Sequence, residues 1–222
     1  MKKGLFLSIL MVFLIALGAS RKAEPIPAKS GELDINEFAE YEPKYLANEV
    51  DVCSKSSTKT YEDYRAITSR SSAQYKYIHE FMTVDEETGF LYDEDGFIGV
   101  ALGSYYGVIG DRYYVTLDSG TVLPIIKIDE KADGDTINGC AHNSDSSVIE
   151  FVIDTDYAGE YFKVSSNGLI SSGNYNNIKL FKGKIEKFEE VTDERNENYV
   201  DYVTKEQEEF DNTNIFQYAS GY

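Results

Sequence analysis

Asp129 stands where an apolar run gives way to a polar loop, in Ile125-Ile126-Lys127-Ile128-Asp129-Glu130-Lys131. A carboxyl at the end of a buried strand loses hydration. Its pKa then rises toward the range a general acid needs near neutral pH. Glu150 is a second candidate, a charge inside the apolar run Val148-Ile149-Glu150-Phe151-Val152-Ile153. Glycoside cleavage uses such groups: one carboxyl protonates the leaving oxygen, and a second usually assists. Strand alternation is the commoner explanation of Glu150, turning it to solvent. His142 is one of two histidines, with His79, and shares a loop with Cys140 and Asp145. It can orient a carboxylate, carry a proton or contact a ligand, or be an ordinary loop residue. Cys140 and His142 would point the same way on a strand, but no third group is evident to orient the imidazole as a cysteine nucleophile requires. Asp129, Asp133 and Asp135 offer oxygen ligands of the kind calcium takes. Their spacing does not match an EF-hand loop, and a solvated acidic loop is the commoner outcome. No metal or other cofactor is expected. Tyr105 and Tyr106, with Tyr113 and Tyr114, can line a saccharide groove or simply pack a β core.

These residues need strands to position them. Three β-branched runs lie at Ile98–Leu102, Tyr113–Leu117 and Val122–Ile128, and a fourth at Val148–Ile153. Asp95-Gly96, Gly110-Asp111 and Asp118-Ser119-Gly120 are turn signals between them. Pro124 argues for an edge or bulge position in the third run. Glu160–Val164 and Asn177–Phe188 complete six short strands, the number of a small barrel. Upstream, Glu37–Val50 has helical aromatic spacing broken by Pro43. Tyr61–Ile67 reads as a short helical piece, and Gln74–Met82 as a second short helix or an extended stretch, of an arm that packs on the barrel.

Length and composition bound the rest. The 222 residues suit one domain with flanking segments, and 42% hydrophobic residues support a real core. A net charge of −18 disfavours nucleic acid and anionic lipid as partners. The start, Lys2-Lys3 followed by the apolar run Gly4–Leu17 and Gly18-Ala19-Ser20, reads as a secretory signal peptide. A serine stands where a lipoprotein would carry its lipidated cysteine, so no stable membrane anchor is expected. In an oxidising compartment Cys53 and Cys140 can form a disulfide or remain two thiols. The expected division is signal peptide 1–20, partly disordered leader 21–57, N-terminal arm 58–90, barrel 91–190 and acidic tail 191–222.

Val100-Ala101-Leu102-Gly103-Ser104-Tyr105-Tyr106-Gly107, Ile109-Gly110, Leu117-Asp118-Ser119-Gly120, Asp129-Glu130-Lys131-Ala132-Asp133, His142 and Val148–Asp154 resemble a group of uncharacterised secreted bacterial proteins. Those proteins carry a domain similar to the double-psi β-barrel of RlpA-like and 3D-domain cell-wall proteins. The resemblance spans Gly89 to Phe188 and implies a mainly β fold with a six-stranded double-psi-like barrel. It also implies a secreted, wall-associated protein that acts on peptidoglycan or another wall glycan. Some members are lytic transglycosylases, which use a barrel aspartate as acid and base; others loosen or bind polysaccharide. Asp129 matches the family's strand-ending aspartate, and Glu150 or Asp154 its later acidic residue. The family's glycine after the aspartate is absent, since Glu130 and Lys131 follow. The sequence thus leaves two activities open, a transglycosylase-like one through Asp129, Glu150 and His142, or a non-catalytic carbohydrate- or protein-binding module.

Overall fold

The computed structural model of the chain describes residues 22–161, 175 and 178–192. Its strands are β1 (Ala28–Lys29), β2 (Ala47–Val50), β3 (Lys59–Asp63), β4 (Thr83–Asp85), β5 (Leu91–Tyr92) and β6 (Ile98–Leu102). They continue with β7 (Arg112–Leu117), β8 (Val122–Glu130), β9 (Thr136–Ile137), β10 (Ala141–His142), β11 (Ile149–Ile153) and β12 (Ile185–Val191). The helices are α1 (Ala73–Phe81) and α2 (Thr155–Tyr161), with short 3-10 turns between elements. The protein is therefore mainly β. The four apolar runs around the polar loop become β6, β7, β8 and β11.

Ten strands join one mixed sheet in the order β1-β4-β5-β6-β8-β7-β12-β2, and β11 adds to β6 and carries β3. The β7–β8 hairpin turns at Gly120, which adopts φ of 90° with no steric cost, and Leu117 N–H closes the turn onto Thr121 O at 2.9 Å. The β6–β8 and β11–β3 pairs are parallel, while β6–β11, β7–β8 and β7–β12 are antiparallel. Ladders do not close this sheet among the described residues. One backbone hydrogen bond, from Ile185 N–H to Ser56 O at 3.0 Å, links the start of β12 to the segment before β3.

Alternation along the strands sorts the apolar residues to two faces. Val100, Val115, Leu123, Ile125, Phe151, Phe181 and Phe188 form one core. Ala101, Tyr114, Ile126, Ile128 and Val152 form the other, covered by Tyr77, Ile78 and Met82 of the α1 region. Ser72 caps α1 by accepting the Tyr75 N–H at 3.2 Å.

Several expectations are corrected. Tyr61 is not helical but lies in β3, because the ladder to β11 satisfies its backbone, and only Tyr64–Ala66 makes a 3-10 turn. The 21–57 segment is not a loose leader where described, since Ile35 and Phe38 enter the first core and β2 pairs with β12. Its expected helix is a 3-10 turn at Ile35–Glu40 followed by a strand. β8 is central rather than an edge. Pro124 is accommodated because it pairs only with Tyr114 of β7, the β6 ladder beginning at Ile125. Glu160 and Tyr161 end α2 rather than begin a strand. The sheet also draws on strands before residue 91, so it is not confined to 91–190. The signal-peptide segment 1–20 and the tail from residue 193 lie outside the described residues.

Candidate functional site

Asp129 is delivered by a β-bulge. In the β6–β8 ladder Val100 pairs with Lys127, but the next residue, Ala101, pairs with Asp129, so two β8 residues oppose one step of β6. A bulge of this kind re-aims a side chain. Here it brings Asp129 into register with Ala101, which pairs with Glu150 of β11, which pairs in turn with Thr60 of β3. Glu62 lies two residues along β3 from Thr60, so it shares that face.

The result is a cluster of three carboxyls, from Glu62, Asp129 and Glu150, beside one buried ammonium. The Glu62 and Asp129 carboxyls hydrogen-bond one another, which requires one of them to hold a proton. Glu62 is that acid and donates to the Asp129 carboxylate. Burial pushes Glu62 far above the usual carboxyl range, and the Asp129 and Glu150 charges add to the shift. Glu62 Oε1 is buried and meets no donor among the described residues, which further disfavours an ionised form. Desolvation also raises Asp129, while the hydrogen bond from Glu62 opposes the rise. The pair therefore keeps one proton well above the ordinary carboxyl range.

Lys131 is the counter-charge. It is 6% exposed, and its Nζ donates to Ser147 O at 3.1 Å and Ser147 Oγ at 3.0 Å. It lies 3.7 Å from Glu150 Oε2. Burial lowers the Lys131 pKa, and Glu150 works against that shift.

His142 does not join the pair. Its Nδ1 is 2.9 Å from Ser144 Oγ and 3.6 Å from Asp145 Oδ1, and its N–H donates to Ser147 O at 2.9 Å. Slight burial raises Asp145, but the Ser147 N–H and the nearby His142 and Lys131 hold it below the usual range. Among the described residues His142 connects to Glu150 through Ser147 and Lys131. Asp154 sits elsewhere, 3.2 Å from Arg65 in an ion cluster with Asp63.

The two tyrosines differ. Tyr105 is 46% exposed and presents an open ring. Tyr106 is 3% exposed and stacks on Phe188 at 4.2 Å, so the expectation of a sugar-stacking role for Tyr106 is corrected. Its hydroxyl instead accepts the Cys53 N–H at 3.1 Å. Cys53 and Cys140 form a disulfide with Cα atoms 6.0 Å apart, which pins the segment before β3 to the loop that holds His142. Gly103 lets that loop approach closely, since a Cβ there would collide with Gly139 O. Asp133 accepts the Ser104 hydroxyl at 2.5 Å, and among the described residues no group of three acidic, histidine or cysteine side chains is arranged to hold a metal ion.

Sequence reasoning missed Glu62 and Lys131. Tyr61-Glu62-Asp63-Tyr64 reads as one helical turn, and nothing local shows that β3 inserts beside β11. A cavity of about 850 Å³ lies elsewhere, lined by Asp118, Thr121, Lys179, Lys182 and Lys184 among others. No helix among the described residues is long and apolar enough to cross a membrane. Comparison of the chain with known proteins gives no match to a family model, a curated protein or a solved structure.

Proposed function

We propose that this is a secreted protein that acts on bacterial cell-wall glycan, with Asp129 as the proton-transferring carboxyl of a lytic-transglycosylase-like cleavage. The observation that carries this reading is the placement of Glu62 beside Asp129 by β3 and the β8 bulge, which sets a buried group that keeps its proton next to a second carboxyl that can accept one. Transglycosylation needs both. The glycosidic C–O bond breaks as the leaving oxygen takes a proton from the pair. A hydroxyl of the same sugar forms the new C–O bond and returns its proton to the pair, so no water is consumed. Glu150, held by Lys131, is the charge that favours a positive sugar ring as the bond breaks. We read the sheet as a double-psi-like barrel. The Ile185–Ser56 hydrogen bond and the single core shared by β6, β7, β8, β11 and β12 support that reading.

Incubating the purified protein with peptidoglycan tests the activity, with anhydro-muropeptides detected by mass spectrometry. Wild type should release them, and Asp129→Asn should lower the rate by about 100-fold or more. Absence of product from wild type removes the enzyme reading, and product undiminished in Asp129→Asn removes the residue assignment. The cavity of about 850 Å³ away from Asp129 favours a second reading, a binding module on the same scaffold. Retention on insoluble wall material by both wild type and Asp129→Asn, without product, is the outcome expected of it.

A further inference from the structure

We propose that the cavity beside the β7–β8 turn binds an anionic ligand, a carboxylate or phosphate group carried on a body of sugar size. This goes beyond the Asp129 chemistry and does not depend on it. The first ground is charge. The chain has 39 acidic against 21 basic residues, yet the cavity wall reverses that balance. Lys179, Lys182 and Lys184 line it, and all three are exposed. Among the described residues lining the cavity, Asp118 is the only acid. Its charge is already engaged. Asp118 Oδ1 accepts the Lys184 N–H at 2.9 Å, and the wholly buried Lys59 ammonium lies close enough to feel it. The three lysines therefore present an excess of positive charge to whatever enters, in a protein whose overall field repels anions.

The second ground is construction. Lys59 Nζ donates to Gly183 O at 2.8 Å and to Ser57 O at 3.2 Å, and both residues line the cavity. The lysine-bearing segment is thus bolted to β3 by a buried cation, and Ile185 N–H adds a bond to Ser56 O. Lys182 and Lys184 flank a fixed backbone rather than a loose end. Ser119 and Thr121 place hydroxyls on the same wall, and Ile178 and Leu180 give it an apolar strip. Charge, hydroxyls and an apolar strip in about 850 Å³ suit an anion with a partly apolar body. Lysines act as mobile point charges and so accept carboxylate and phosphate alike.

The site is separate from the carboxyl pair. Thr121 immediately precedes β8 and Asp129 is near its far end, about 25 Å along the strand. The experiment is a titration of the ¹⁵N-labelled protein followed by amide chemical shifts. The probes are N-acetylmuramic acid for the carboxylate source and glycerol 3-phosphate for the phosphate source, with neutral N-acetylglucosamine as control. Saturable shifts at Ser119, Thr121, Gly183 and Lys184 are expected with at least one anion, weaker as salt is raised. The triple variant Lys179→Gln, Lys182→Gln, Lys184→Gln should lower the affinity about tenfold or more. These lysines are exposed, and an unchanged amide spectrum elsewhere confirms that the variant folds. Equal binding of the neutral sugar, no shift with either anion at millimolar ligand, or undiminished binding by the triple variant would each overturn the proposal. All three readouts are independent of anhydro-muropeptide release.

Discussion

Replacing Glu62 by glutamine tests the shared proton directly. In the unfolded chain Glu62 loses its proton near 4.5, whereas in the fold it keeps it well above that value, chiefly through burial. Between those two points the native state binds one proton more than the unfolded state, so this group's contribution to stability is full below about 4.5 and is lost as pH rises. A full proton corresponds to about 1.4 kcal/mol per pH unit. Residual protonation of the unfolded chain near pH 5 trims this to about 1 kcal/mol or a little more per unit on average across pH 5 to 7. The amide of the Glu62→Gln variant would keep an N–H donor to Asp129 but does not titrate. The stability difference, Glu62→Gln minus wild type, should therefore grow in favour of the variant by about 2 kcal/mol between pH 5 and pH 7. Urea unfolding at pH 5, 6 and 7 measures it, followed by circular dichroism and tyrosine emission, since the chain has no tryptophan. Parallel pH curves for the two proteins would refute the reasoning, because Glu62 would then be ionised in the fold. The same result would remove the acid from the proposed cleavage.

Three further outcomes follow from the packing. Replacing Cys53 and Cys140 by serine opens a cross-link between residues 87 apart in sequence, and should lower stability by about 4 kcal/mol, read as a shift in urea midpoint that reductant reproduces in wild type. Gly103→Ala should cost about 2 kcal/mol or more, because the new methyl meets the Gly139 carbonyl rather than a flexible side chain; an unchanged melting temperature would contradict this. Lys127→Met should cost about 3 kcal/mol, since Lys127 is fully buried and its Nζ donates to the carbonyls of Gly103, Tyr106 and Gly107 and to Glu130; a neutral effect would show that those carbonyls find other donors.

The sequence by itself determined the strands that carry their own signal. β6, β7, β8 and β11 are dense in β-branched and aromatic residues and are bounded by glycine turns, so local propensity and burial agree. Asp129 was legible for the same reason: a carboxyl that ends such a run must be partly desolvated. Only the tertiary structure decided its partner. Glu62 lies far earlier in the chain, in a stretch with helical spacing, and the parallel ladder to β11 overrides that spacing by satisfying the β3 backbone. The bulge opposite Ala101 was also invisible, because nothing in Lys127-Ile128-Asp129 departs from ordinary alternation. Likewise, Tyr105 and Tyr106 are adjacent and identical in type, yet one ring is open and the other is stacked on Phe188. Local composition sets which of the strongly apolar, β-branched segments become strands. Which carboxyls meet, share a proton and lose their water depends on pairings distant in the chain, and those are fixed only when the sheet assembles.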